Sequence, residues 1–414
     1  MDDVLRAVAR DFGTPVYVYF VDQIRARVAA VRAAFGHRFQ LSFAVKCNPN
    51  HGLLQRLHGV VDLLDVSSGG EVRRALAAGW EAARVSFTGP GKTEAEVRAA
   101  LDARVGEIVV ESVDEAALVQ RLAAAGGRRA RVLLRIAPAR VPRGFGLNMS
   151  GKPSQFGIDE EDLDAAVRVV AGLTHVDLAG FHIYSGTQCL NADAIVENYA
   201  IFVDLFRRAC HTHGLRPHTL VFGAGLGIPY YETDVPLDLS AVASKTNPLL
   251  DELKRDPAFA ATNLVLETGR YLVGEAGVYL TRVIRTKRSR GVDIAICDGG
   301  MHHHLAAAGH LGTLIQRNYR MHKVTCAPAL AATASYTLVG PLCTTIDTIG
   351  RQVTLPRLAA GDLIALESSG AYGPTVSPVH FISHPLPREV LVETVDGNLL
   401  VEDASQFAVE STRP

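Results

Sequence analysis

Short apolar runs and helical periodicities alternate along the first two thirds of the chain. Residues 15–20 read as a short aromatic and β-branched strand. Ile24, Val28, Val31 and Phe35 then recur at helical spacing, and Gly36 ends that helix. An apolar run from Leu41 closes on Lys46, where Asn48-Pro49-Asn50 stops it as a turn. From there one unit repeats: a short buried strand, a polar loop, an amphipathic helix. Further strands are expected at 61–66, 85–88, 107–110, 131–136, 178–184, 219–222 and 263–266. Ser112 and Glu115 predict a capping box for the helix that Gly126 and Gly127 end. Together these make eight strand–helix units, the rhythm of a (β/α)8 barrel. A doubly wound sheet also alternates, but it gathers its site at one switch point. Here polar residues follow several different strands, as a barrel site requires.

After residue 275 the texture changes to β-branched runs at 278–284, 293–297, 335–339, 362–366 and 390–392, with Gly and Pro between them. That predicts a second, all-β domain. The strand at 15–20 has no place among the eight and is assigned to it. The expected division is a barrel at 24–275 and a β-domain of 1–23 plus 276–414. A chain of 414 residues suits two domains. A net charge of −1 with 21% charged residues gives no reason for a nucleic-acid partner. No apolar run reaches the length of a membrane span, and Met1-Asp2-Asp3 opens no signal peptide. Cysteines at 47, 189, 210, 297, 326 and 343, with no C-x-x-C pair, read as reduced cytoplasmic thiols.

Candidate chemistry then gathers at the strand ends. Lys46 closes a buried strand, where its ammonium is paired or loses its proton; the plainer reading is a lysine reaching to solvent. Gly223-Ala224-Gly225-Leu226-Gly227 follows the seventh strand, where barrels commonly bind a phosphate. A dinucleotide fingerprint is not met. Arg270 offers a clamp beside that loop. Glu267 is a strand-end carboxylate that needs a partner, either a cofactor's ring nitrogen or Arg270. His182 lies near the end of the sixth strand. His302-His303-His304 invites a metal, but consecutive histidines point apart, and Gly299-Gly300 argues against a helix aligning Asp298 with His302. No metal site is expected. An amine, a phosphate loop and a carboxylate on one rim suit pyridoxal 5′-phosphate, which carries an aldehyde, a phosphate and a ring nitrogen.

The residues Phe43-Ala44-Val45-Lys46, Asp65–Glu71 (DVSSGGE), His182, Gly223–Gly227, Glu267-Thr268-Gly269-Arg270, Gly340-Pro341-Leu342-Cys343 and Gly370-Ala371-Tyr372 resemble the fold-type III decarboxylases of ornithine, arginine and diaminopimelate. The likeness runs in order from about residue 10 to 385. It implies that Lys46 is the Schiff-base lysine and that His182 stacks on the pyridine face. It implies that Glu267 pairs with the ring nitrogen, and that Ser185, Gly223, Gly225, Gly227, Arg270 and Tyr372 hold the phosphate. Asp65 and Glu71 are expected to support Lys46. The resemblance also implies a homodimer, in which Cys343 and Tyr372 reach the site across a two-fold interface and Cys343 protonates Cα. An adjacent carboxylate raises the ring nitrogen's pKa, and the protonated ring then absorbs the carbanion's charge.

Two departures from the family pattern bear on substrate. Thr344 stands where ornithine- and diaminopimelate-type enzymes usually carry Asp or Glu for a distal amine. His302–Gly309 (HHHLAAAG) stands where diaminopimelate enzymes carry an arginine. Both variants resemble a subgroup of antibiotic and exopolysaccharide clusters, some members of which decarboxylate an amino acid tethered to an acyl carrier protein. Thr344, Arg135 and His303 are the residues expected to meet the substrate. The expected reaction is α-decarboxylation of an aspartyl- or glutamyl-type group on a carrier protein, with free diaminopimelate as the alternative substrate. An inactive pyridoxal-phosphate-binding homologue is the alternative that is not an enzyme, and it would have lost Lys46 or Cys343. An alanine racemase would place an arginine, not Glu267, at the ring nitrogen.

Overall fold

The computed structural model describes residues 1–311, 317–325 and 332–405; Cys326 lies outside them. Eight parallel strands close into a barrel: β2 (Gln40–Ala44), β3 (Leu63–Val66), β4 (Val85–Phe87), β5 (Glu107–Val110), β6 (Ala130–Ala137), β7 (Val176–Ile183), β8 (Thr219–Gly223) and β9 (Asn263–Thr268). Closure is made where Leu266 of β9 pairs with Leu41 of β2. Outward residues such as Leu64, Phe87, Leu134, Phe181 and Phe222 bury under the helices, while Val109, Leu133, Ala179, Val221 and Val265 plug the interior. Successive strand side chains alternate faces. Two residues beyond the plug, the same inward face therefore presents Glu111, Arg135, Gly223 and Glu267, with Asp65 two residues past Leu63. On β7 the phase slips. Val132 pairs with Leu178 and Leu133 with Gly180, leaving Ala179 as an extra residue. That bulge turns His182 inward and Phe181 outward. The polar layer at the C-terminal ends of the strands is thus a consequence of period two plus one bulge.

Two local expectations need correction. The strand bearing Lys46 stops at Ala44, and Val45–Cys47 form a single 3-10 turn. Pro49 holds Asn48 extended (φ −159°, ψ 96°), and the Asn48 N–H bonds back to Val45 O at 3.0 Å. The capping box expected at Ser112 is half formed. Ser112 Oγ accepts from Glu115 N at 3.1 Å, but the Glu115 carboxylate accepts from Glu111 N at 2.8 Å and pairs with Lys92. A complete box sits one helix earlier, at Thr93 and Glu96.

The second sheet is built around β1 (Val16–Phe20). It runs antiparallel to β10 (Gly277–Ser289) and parallel to β15 (Arg388–Val395). β11 (Val292–Cys297), β12 (Thr333–Val339) and β13 (Thr348–Pro356) extend it from β10, β14 (Leu363–Leu366) pairs with β10, and β16 (Asn398–Asp403) pairs with β15. A helix absent from the sequence reading, Asp2–Asp11, lays Leu5, Val8 and Ala9 on this sheet. The helix Val21–Phe35 follows β1 without a turn, three residues earlier than expected.

β9 leads through Gly269 and the short helix Arg270–Val273 straight into β10. Gly370 folds against that junction. Its N–H bonds to Gly274 O at 2.9 Å, and a Cβ on Gly370 would lie 1.8 Å from Val273 O. Only glycine permits this approach. It carries Ala371 and Tyr372 to the barrel rim.

Candidate active site

Lys46 rises from its 3-10 turn between two carboxylates. Its Nζ is 3.8 Å from Asp65 Oδ2 and 3.8 Å from Glu267 Oε1, and it lies over the Tyr184 ring. Asp65 and Glu267 are almost wholly buried, while the lysine side chain is 38% exposed. Burial works against the Lys46 ammonium, but the Glu267 and Asp65 charges outweigh it and raise its pKa. Lys46 is therefore a paired cation here, not the neutral amine the sequence reading admitted. Burial, with the Glu267 charge added, pushes the Asp65 carboxyl up. Glu267 is held down in spite of burial, by the His182 hydrogen bond and the Lys46 charge. Burial lowers the His182 pKa below its ordinary value. The neutral ring donates its Nε2–H to Glu267 Oε2 at 2.8 Å, leaving Nδ1 without a partner. Glu71 caps its own helix through Ser67 N at 2.7 Å, so the direct support of Lys46 comes from Asp65.

The glycine loop lies beside this cluster. A Cβ on Gly223 would fall 2.4 Å from Tyr184 Cδ2, and one on Gly227 would fall 2.9 Å from Cys189 O. Gly225 sits at φ +67°, with Phe145 Cε1 2.6 Å from its virtual Cβ. The loop is thus packed against residues 184–189 and Phe145 too closely for a Cβ at any of its three glycines. Arg270 donates from Nη1 to Tyr230 Oη at 2.7 Å and stacks 4.6 Å over the Tyr372 ring. Tyr372 is held at φ +55°, its N–H bonded to Cys47 O at 2.8 Å. It reaches the barrel of its own chain, not a partner's, because Gly370 docks on Gly274.

Of the buried polar atoms that have no hydrogen-bond partner among the described residues, four belong to this cluster: Asp65 Oδ2, His182 Nδ1, Ser185 Oγ and Arg270 Nε. Unmade bonds at buried polar groups are costly. Arg270 lines a small cavity with Lys46, Tyr184, Thr187, Gly225, Glu267 and Tyr372, while Asp65 and His182 stand behind it against Lys46 and Glu267, and Ser185 follows Tyr184. An amine, a carboxylate, an arginine and a glycine loop that reaches the cavity at Gly225 suit the aldehyde, ring nitrogen and phosphate of pyridoxal phosphate.

Other expected residues lie elsewhere. Arg135 is not free for substrate. Its Nη1 donates to both oxygens of Glu111 at 3.0 and 3.1 Å, and Phe156 stacks on its guanidinium. Glu111 also accepts from Gly89 N and Gly157 N, so it fixes the loop after β6. His303 is 1% exposed, with Nδ1 near Tyr279 Oη and Nε2 2.9 Å from Pro385 O. It is a packing residue of the β-domain, and so is His304, which bonds Ser369 Oγ. Cys343 is exposed and Thr344 half-buried in the loop between β12 and β13, away from the cavity of their own chain. Asp347 organises that loop. Its carboxylate accepts from Met301 N at 2.7 Å and Leu342 N at 2.9 Å, in the space left by Gly300 and Gly340. Sequence reasoning missed Glu111, Tyr184, Thr187 and Asp347. Glu111 carried a signal, since it stands two residues past Val109 on the inward face.

Residues 21–274 match the family model of the pyridoxal-dependent decarboxylase, pyridoxal binding domain. The chain is 36% identical over 389 residues to the L-glutamyl-[BtrI acyl-carrier protein] decarboxylase of Niallia circulans, covering 94% of this chain and 90% of that protein. It is 32% identical to the diaminopimelate decarboxylase of Zymomonas mobilis, with the same coverages. The diaminopimelate decarboxylase of Helicobacter pylori complexed with L-lysine superposes with a TM-score of 0.82 at 25% identity, over 96% of this chain and 95% of that one. Pocket chemistry, barrel and relatives agree, and the chain belongs to the pyridoxal-dependent decarboxylases.

Proposed function

We propose that this decarboxylase acts on an aspartyl- or glutamyl-type group held as a thioester on an acyl carrier protein, releasing carbon dioxide and leaving a β- or γ-amino acyl unit. The observation that carries this reading is that Thr344, His303 and Arg135, the described residues expected to meet the substrate, offer no free distal charge. The Gly340–Asp347 loop offers Thr344, a hydroxyl and a methyl. His303 is buried and bonded, and Arg135 is committed to Glu111. A free distal ammonium or carboxylate would be left unpaired, at a cost of several kcal/mol. A thioester removes that charge, and its pantetheine arm leads out of the site. The likeness to the Niallia circulans protein supports the same substrate class.

Bound pyridoxal phosphate supplies the electron sink that takes up the pair left at Cα when carbon dioxide departs. Lys46 would hold its aldehyde carbon, Glu267 its ring nitrogen, and Ser185, Arg270, Tyr372 and the glycine loop its phosphate. Glu267, held low by His182 and Lys46, stays an anion and so favours a protonated ring nitrogen. His182, neutral and fixed through its Nε2–H, orients Glu267. Asp65, tied by Thr88 Oγ1 at 2.5 Å, steadies the Lys46 ammonium. Cys343 would return a proton to Cα from a second subunit, since its own chain leaves it exposed and apart from Lys46. The reading therefore includes a homodimer with shared sites.

Intact-protein mass spectrometry tests the substrate. An acyl carrier protein loaded with L-glutamate or L-aspartate should lose the mass of carbon dioxide with the wild-type enzyme and not with Lys46→Ala. Efficient turnover of free diaminopimelate, with no change in either loaded carrier, would overturn the reading.

A further inference from the structure

We infer that the outward face of β10, β11 and β12 is the docking surface for the acyl carrier protein, with Arg285 and Lys287 as its main contacts. The inference rests on the carrier-linked substrate proposed above.

Residues 277–290 hold five cations, Arg282, Arg285, Lys287, Arg288 and Arg290, and no acidic residue. In a chain of net charge −1 this is a concentrated positive field. Arg282 is tied to Gly361 O at 3.0 Å, and Arg288 lies 3.7 Å from Asp293. Arg285, Lys287 and Arg290 are exposed and make no ion pair among the described residues.

Strand register places the cations beside apolar surface. Arg285 pairs with Ile296, which pairs with Val339; Lys287 pairs with Ile294, which pairs with Thr337. Paired residues share a face of the sheet. Ile294, Ile296, Thr337 and Val339 are half-buried, whereas their alternates Ala295, Cys297, Tyr336 and Leu338 are buried. Ile284 and Val292, 44% and 48% exposed, extend the patch. The face therefore has an apolar middle and a cationic margin along residues 285–290. Val339 ends β12 four residues before Cys343. A partner seated on this face lies next to the loop that carries Cys343 and Thr344.

Carrier proteins are acidic, and the phosphodiester of their pantetheine arm adds a further anion. Charge complementarity of this kind steers encounter and fixes register. A second copy of this chain suits the face poorly. A two-fold contact centred here would set Arg285 and Lys287 against themselves.

The test uses the doubly reversed enzyme Arg285→Glu/Lys287→Glu and two glutamyl thioesters, one on an acyl carrier protein and one on pantetheine alone. KM for the carrier-linked substrate should rise about tenfold or more at low salt, and the gap should narrow as salt screens the charges. KM for glutamyl-pantetheine and kcat for both should match wild type. Fluorescence anisotropy of labelled carrier should show the same loss of binding without turnover. An unchanged carrier KM overturns the docking surface alone. A reversed enzyme that becomes monomeric by light scattering also overturns it, because the face would then serve self-association. A wild-type enzyme inert toward both thioesters overturns the proposed substrate, and the docking surface falls with it.

Discussion

Glu267 accepts the Nε2–H of His182 at 2.8 Å while the two side chains remain 3% and 2% exposed. The pair fixes the charge state of the site, because a neutral histidine donating to a carboxylate keeps the carboxylate ionised. Glu267→Gln retains the shape and an acceptor for His182 but removes the charge facing Lys46. We expect kcat to fall about 100-fold or more, with the fold intact by circular dichroism and pyridoxal phosphate bound more weakly. Wild-type kcat in that variant would remove Glu267 from the chemistry.

The barrel and its inward polar residues were legible because strand and helix periods differ and side chains alternate along a strand. Lys46, Glu267, Arg270 and the glycine loop stand at or just past strand ends and line one cavity, with His182 bonded to Glu267 behind it. Arg135 and His303 misled for a common reason. A polar residue inside an apolar run shows that it must be satisfied, but not by what. Arg135 is satisfied by Glu111, and His303 by Tyr279 and Pro385, contacts between residues far apart in the chain. The 3-10 turn at Lys46 is closed locally by the Asn48 N–H, but the carbonyl it leaves free at Cys47 is met by Tyr372 N, more than 300 residues on, and that contact has no mark in the local pattern.

Asp347 gives a second prediction. Its carboxylate is the acceptor for two buried N–H groups, and each would be left unmade in Asp347→Ala. Roughly 1–3 kcal/mol of stability should be lost for each. The Cys343 loop should loosen as well. Cys343 is the exposed thiol among the described cysteines, so labelling with an aromatic disulfide should become several-fold faster in the variant. An unchanged labelling rate would separate Asp347 from the placement of Cys343.

Shared sites predict complementation. Lys46→Ala and Cys343→Ala should each be inactive as homodimers. Unfolding and refolding them together at equal concentration should give half mixed dimers, each with one intact site. Activity should return to about a quarter of wild type. Failure in dimers verified as mixed would mean that Cys343 serves the barrel of its own chain.

The three consecutive histidines predict how the fold responds to acid. His302 is buried with no partner for either ring nitrogen among the described residues, and its ring lies 3.7 Å from that of His303 and 5.1 Å from that of His384. Burial lowers its pKa to about 4, with the His384 charge acting the same way. Burial lowers His303 to about 3, helped by His302, and lowers His304 to about 3 by itself. A histidine with a lowered pKa binds fewer protons folded than unfolded, so stability rises with pH wherever the two states differ. The contribution is complete above the unfolded value near 6.5 and is lost as pH falls from there toward 4. Each ring contributes at most about 1.4 kcal/mol per pH unit across that window. His302→Phe keeps a stacked ring and removes one titrating group. Its unfolding free energy, measured by denaturant titration between pH 6.5 and 4.5, should fall less steeply than that of wild type. A slope equal to wild type would mean that His302 is protonated in the folded chain, with its charge answered by a group such as Asp347.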